Sequence, residues 1–148
     1  MKIYLVRHAE TDSNRNGIMQ GQLLNEQIND KGIIDARIIK LQLSKIDFKV
    51  CYTSPLIRAW STAMIVVGER VEIVQDSRII ERYLGNYEGK HKDTYDIKKY
   101  WDYKLNSTEE DVEPIHDIFK RCENFLKDLK EKYNDDDCVL IVSHSGII

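Results

Sequence analysis

Cysteine is scarce: Cys51, Cys122 and Cys138 are the only three in 148 residues. Their number is odd, they are scattered through predicted strand and helix, and no two stand in a C-x-x-C spacing. That excludes a disulfide framework and a zinc or dithiol redox site, and leaves buried reduced thiols as the expectation. Long apolar runs are missing too, since no stretch approaches the roughly 18 apolar residues of a membrane-spanning helix. Met1-Lys2 leads straight into a strand instead of into the apolar region of a signal peptide. The expectation is a cytoplasmic protein with no membrane partner. Nor does one sign of charge dominate: 22 Lys and Arg face 25 Asp and Glu, for a net charge of -3. A nucleic-acid binder is usually strongly basic, so no nucleic-acid partner is expected. With 42% hydrophobic and 32% charged residues, the balance is that of a globular domain with one core.

Several catalytic signatures are also absent. There is no G-x-x-x-x-G-K-[ST] and no G-x-G-x-x-G after a strand, so nucleotide binding has no motif behind it. Ser-His-Asp hydrolysis lacks its G-x-S-x-G elbow. The four histidines form no recognisable ligand set. Neither a metal nor a cofactor is expected.

What is present begins at Lys2 to Thr11, K-I-Y-L-V-R-H-A-E-T, an apolar β-prone run that ends in an arginine and a histidine. The pattern returns at Cys138 to Val142, which runs into Ser143, His144, Ser145 and Gly146. Open α/β sheets present their chemistry at the carboxyl ends of their strands. If these two strands lie parallel and adjacent, His8 and His144 emerge on one edge and face one substrate atom.

Between them strands and helices alternate without linker or repeat, which predicts an α/β sandwich in one domain, residues 1–148. Thr11 to Gln22 is a polar loop or short helix leaving the first strand. Asn29 is a candidate N-cap for a helix over Asp30 to Leu43, with Ile33, Ala36, Ile39 and Leu43 facing the core and Gly32 weakening it modestly. Val50 to Thr53 reads as a strand. Ser54-Pro55 then reads as an N-cap and first position of a helix reaching Val67, which buries Ile57, Ala59, Trp60, Ala63, Met64 and Val67. Arg58 falls in its first turn, where the helix dipole prefers anions. An arginine there makes sense if a phosphate or carboxylate binds between it and the helix N–H groups. Val71 to Val74 is a third strand, and Lys90 to Tyr103 reads as a helical flap with an amphipathic surface. Pro114 opens a helix carrying Ile115, Ile118, Phe119, Cys122, Phe125, Leu126 and Leu129 at helical spacing.

R-H-A-E-T followed by Asn14, T-S-P-L-I-R-A at Thr53 to Ala59 with Thr62-Ala63, Glu81 before G-N-Y-E-G, and S-H-S-G at Ser143 to Gly146 together resemble the histidine phosphatase superfamily, in its phosphoglycerate mutase-like branch. The four motifs occur in order across residues 2 to 148. The resemblance implies a three-layer α/β sandwich with a mostly parallel central sheet flanked by helices. It also implies metal-independent phosphoryl transfer through a phosphohistidine. Position by position, His8 matches the nucleophile, Arg7, Arg58 and His144 the phosphate pocket, Asn14 the residue that helps bind the transferring group, and Glu81 the proton donor. Gln20 and Gly21 fall near a loop that contacts substrate. Glu81, not Glu88, is taken as the acid. A neutral imidazole is nucleophilic near pH 7, and two guanidinium groups suit charge building on phosphoryl oxygens.

Relatives usually continue past the second histidine with a helix and often a further strand, whereas this chain stops at Ile147-Ile148. A strand edge and a core face are then expected to be uncovered, through truncation or for a partner chain such as a second copy. The segment between Glu81 and His144 is short and holds no adjacent Arg pair. The expected activity is therefore a phosphatase acting on a small phosphorylated metabolite. Phosphoglycerate mutase is the alternative, and a non-catalytic phospho-ligand binder is the alternative from another class.

Overall fold

The computed structural model describes residues 1–148. Four parallel strands form one sheet: β1 (Lys2–Arg7), β2 (Phe48–Thr53), β3 (Ile73–Gln75) and β4 (Cys138–Ser143), in the order β1-β4-β2-β3. The first and last strands of the chain are neighbours, paired from Lys2 with Cys138 to Arg7 with Ser143. Parallel neighbours need crossovers, and these are the helices α2 (Asp30–Gln42), α3 (Ile57–Val67) and α5 (Ile115–Lys132). A single turn, α1 (Asp12–Arg15), follows β1, and another, α4 (Ile97–Tyr100), precedes α5.

Side-chain alternation divides the core in two. Cys51, Leu140 and Val142 face Ala36, Ala59, Ala63, Val66 and Val67 of α2 and α3, with Tyr4 and Val6 packed alongside. Val50, Tyr52, Val139 and Ile141 face Phe125 and Leu129 of α5. The result is the expected helix, sheet, helix sandwich. No helix is long and apolar enough to cross a membrane. Cys51, Cys122 and Cys138 are free thiols, of which only Cys51 is fully buried.

The Asn29 cap stands as expected, its side chain accepting from Gly32 N–H at 2.9 Å. Other local readings are corrected. Ser54 is not the N-cap of α3; the N-cap is Leu56, with no side-chain cap bond, and the Ser54 hydroxyl accepts from the Leu56 N–H at 3.3 Å and meets His144 Nε2 at 2.7 Å. Met64 is exposed, while Arg58, Thr62 and Val66 of α3 are buried. β3 starts at Ile73 because a 3-10 turn at Gly68–Arg70 uses up the chain before pairing begins. Phe119 and Leu126 are exposed, Phe119 lying edge-on to Tyr103 at 5.2 Å instead of entering the core. β1 is a sheet edge, and its Ile3 and Leu5 are exposed.

Candidate active site

Parallel pairing carries His8 and His144 off adjacent strand ends, and the His8 N–H donates to Ser143 O at 2.8 Å. The two rings lie 5.2 Å apart, centroid to centroid. His8 Nδ1 is 2.8 Å from the carbonyl oxygen of Ala9. A carbonyl only accepts, so Nδ1 carries the ring proton and the Nε2 lone pair is free. Burial pulls the His8 pKa down to about 4, opposed by the Ala9 bond and reinforced by the charges of Arg58 and Arg7. His8 is therefore neutral at pH 7. The backbone behind it is pinned, since Ala9 N–H donates to Thr62 Oγ1 at 2.9 Å and Thr62 Oγ1 donates to Arg58 O at 2.7 Å.

His144 is completely buried and sits even lower, at about 2, chiefly through burial and then through the charges of Arg58, His8, Arg7 and Arg121. Its Nε2 lies 2.7 Å from Ser54 Oγ, and its Nδ1 has no partner.

Arg58 is 1% exposed. Its Nη2 donates to Gly21 O at 2.7 Å and its Nη1 to Leu24 O at 3.3 Å, while Nε is unpartnered. The N–H groups of Leu56 and Ile57 at the start of α3 are already engaged by Ser54 and Asn25. The expectation that helix N–H groups share an anion with Arg58 is thus corrected for these two, whereas the guanidinium keeps an unpartnered Nε. Arg7 is exposed and makes no ion pair within the protein.

The loop after α1 closes one side. Asn14 Oδ1 accepts from Thr11 N–H at 3.3 Å, which leaves its Nδ2 as the group open to a ligand. Gln20 is buried, accepts from Thr11 Oγ1 at 3.1 Å, and has an unpartnered Nε2. Gly21 has φ +51°, and a Cβ there would meet Glu88 Oε1 at 2.0 Å. Glu88 accepts from the N–H groups of Gln22, Leu23 and Leu84 at 2.9, 2.6 and 3.1 Å. It is a tie between two loops.

Glu81 lines the cavity. Its Oε1 accepts from Arg82 N–H at 2.8 Å and its Oε2 from Gly146 N–H at 3.5 Å. Burial raises its pKa above the usual carboxylate value, opposed by those two bonds and by the charges of Arg58 and Arg7. The far wall comes from the Lys90 to Tyr103 stretch. It is not one helical flap but a 3-10 turn at Lys92–Thr94 followed by α4, because Asp96 caps a new turn by accepting from Lys99 N–H at 3.1 Å. Tyr95 stacks on Tyr100 at 4.9 Å. The Arg82 guanidinium lies 5.3 Å from the Trp101 ring and donates to Tyr100 O and Glu113 O.

Arg7, His8, Asn14, Gln20, Gly21, Arg58 and Glu81 line one cavity of about 550 Å³, closed by Leu84, Lys92, Tyr95, Ile97, Trp101 and Gly146. Of the sequence candidates, only His144 does not line it. Arg82, Tyr95 and Trp101 escape sequence reading as site residues; the position of Arg82 beside Glu81 is the one signal that could have drawn attention to it. No three His, Cys, Asp or Glu side chains converge to hold a metal ion. The arrangement offers a neutral nucleophile, two cations for an anion, and a carboxyl held toward its protonated form.

The chain belongs to the histidine phosphatase superfamily, since the family described as Histidine phosphatase superfamily (branch 1) matches residues 3–148. Phosphoserine phosphatase 1 of Hydrogenobacter thermophilus is 28% identical over 152 residues, covering 98% of this chain and 71% of that protein. The 2,3-bisphosphoglycerate-dependent phosphoglycerate mutase of Thermoplasma acidophilum is 34% identical over 115 residues, covering 76% of this chain and 58% of that protein. The solved structure of Bacillus stearothermophilus YhfR superimposes with a TM-score of 0.85 at 31% identity, covering 98% of this chain and 74% of that one. With this family match and a phosphatase among its relatives, the protein is a phosphatase enzyme of the phosphoglycerate mutase-like fold.

Proposed function

We propose that the protein hydrolyses a small phosphorylated metabolite through a phosphohistidine on His8. The Nε2 lone pair attacks phosphorus while the ester P–O bond breaks, and Glu81 gives its proton to the departing oxygen. Water then attacks the phosphohistidine, Glu81 takes its proton, the P–N bond breaks, and inorganic phosphate leaves. Arg7, Arg58 and Asn14, which line the cavity, hold the equatorial oxygens throughout, joined by His144, whose ring lies 5.2 Å from that of His8; this is the main task of a phosphoryl-transfer site. Gln20 and Gly21 form the edge of the substrate pocket. The single domain of residues 1–148 contains all of these groups.

The observation that carries this reading is the 2.8 Å contact of His8 Nδ1 with Ala9 O, which leaves Nε2 nucleophilic in the cavity shared with Arg7, Arg58 and Glu81. Hydrolysis is favoured over mutase chemistry because the segment between Glu81 and His144 is short and holds no adjacent Arg pair. The test is hydrolysis of p-nitrophenyl phosphate in excess EDTA by wild type and His8→Ala. Turnover that survives EDTA, leaves an acid-labile phosphoenzyme and vanishes in the variant is expected. A folded wild type that binds phosphate without turnover would overturn catalysis in favour of ligand binding, and a requirement for a bisphosphoglycerate primer would favour the mutase.

A further inference from the structure

Ser54 is completely buried, one residue beyond β2, and its hydroxyl has two neighbours. The Leu56 N–H donates to Oγ at 3.3 Å, and His144 Nε2 lies 2.7 Å from the same oxygen. A backbone N–H only donates, so the serine accepts there. The contact with His144 then has two proton arrangements. If Nε2–H donates to Oγ, the serine proton has no acceptor and Nδ1 is a bare lone pair with no donor. If instead the serine donates to Nε2, Ser54 is satisfied on both sides. The one unmatched group is then Nδ1–H, the atom that lacks a partner in the structure. The first arrangement buries two unmatched groups and the second only one. Buried polar groups without partners are costly enough for this difference to decide the tautomer.

We infer that Ser54 is a positioning residue that fixes His144 as its Nδ1–H tautomer, so that this N–H becomes a neutral hydrogen-bond donor to the phosphoryl group. The second half rests on the phosphohistidine reading; the first half does not. The ring centroids of His144 and His8 are 5.2 Å apart, so the two side chains are neighbours.

The tautomer is read directly from ¹⁵N shifts of the histidine ring nitrogens at pH 7. The wild type is expected to show a protonated Nδ1 and a bare Nε2 on His144. Ser54→Ala is expected to lose that preference while His8, held by Ala9, keeps its own. Inorganic phosphate is expected to shift the His144 Nδ1 signal in the wild type. For p-nitrophenyl phosphate, kcat should fall roughly 10-fold in Ser54→Ala, the effect of one misdirected hydrogen bond, and recover in Ser54→Thr. A protonated Nε2 in the wild type, or an unchanged tautomer in Ser54→Ala, would overturn the inference. If the expected tautomer and phosphate response appear without turnover, the catalytic reading fails and the role of Ser54 stands.

Discussion

The Arg58 Nη2 donates to the Gly21 carbonyl across 2.7 Å, joining the first turn of α3 to the loop after α1. One side chain thus lines the cavity and also holds the loop that carries Gln20. Because its two terminal nitrogens reach Gly21 O and Leu24 O, the fork geometry matters as much as the charge.

Arg58→Ala is expected to lower kcat/KM by about 10- to 100-fold, the loss of a charge-assisted hydrogen bond worth roughly 1.5–3 kcal/mol. It should also destabilise the protein by about 1–3 kcal/mol, because buried carbonyls lose their partner. Arg58→Lys should restore little of either, since an ammonium cannot span both carbonyls. Steady-state kinetics with p-nitrophenyl phosphate and urea unfolding check both effects, and unchanged kinetics would remove Arg58 from the site.

Stability should depend on pH through the two histidines. His8 falls from the ordinary 6.5 to about 4 and His144 to about 2, so below pH 6.5 the unfolded chain binds more protons than the folded one. Stability therefore rises with pH across that window, and it is lost as pH falls from 6.5 toward 4, by an amount on the order of a few kcal/mol for His8. Glu81, raised above its usual value, acts in the opposite sense as pH rises from 4.5. From the two histidine shifts the urea midpoint is expected to be lower at pH 5.5 than at 7.5. His144→Gln should make the slope shallower.

The pairing of the first and last strands, and with it the meeting of His8 and His144, could be anticipated because strand runs and their terminal residues are local signals; the full strand order could not. What surrounds them was not readable either, because it depends on contacts between segments far apart in the chain. Ser54 looked like a helix cap by its neighbours, and only the fold reveals that its hydroxyl belongs to His144, 90 positions away. Arg82 is buried because it meets Tyr100 O and Glu113 O, partners that no periodicity announces. The Lys90 to Tyr103 stretch misled through its mixture of lysine and aromatic residues, which fits a helix face as well as it fits the Tyr87, Tyr95 and Tyr100 cluster.

Gly32 illustrates the same limit as a measurable effect. By helix propensity alone, Gly32→Ala should stabilise α2 by about 1 kcal/mol. Yet a Cβ there would lie 2.3 Å from the Glu10 carbonyl oxygen, a backbone atom that cannot swing aside. The substitution is therefore expected to destabilise by about 1–3 kcal/mol, as overpacking does. Thermal unfolding gives the sign directly, and a raised Tm would refute the close approach.

Glu81 and Glu88 are separated most sharply by leaving-group dependence. Glu81 is held toward its protonated form, so it can act as an acid, and activity should decline as pH rises through its elevated pKa. Glu81→Gln should cost about 10²- to 10⁴-fold on an alkyl phosphate, whose alkoxide needs a proton. In kcat/KM, which reports the phosphorylation step and not the later deprotonation of water, the loss should be far smaller on p-nitrophenyl phosphate, whose phenolate leaves unaided. Glu88 instead spends its oxygens on three backbone N–H groups. Glu88→Ala should raise KM and lower stability as the loop at Gln22 and Leu23 loosens, with the same proportional loss on both substrates. Rates for the two variants on the two substrates form a four-way comparison. If Glu88→Ala discriminates between leaving groups and Glu81→Gln does not, the proton donor has been assigned to the wrong carboxylate.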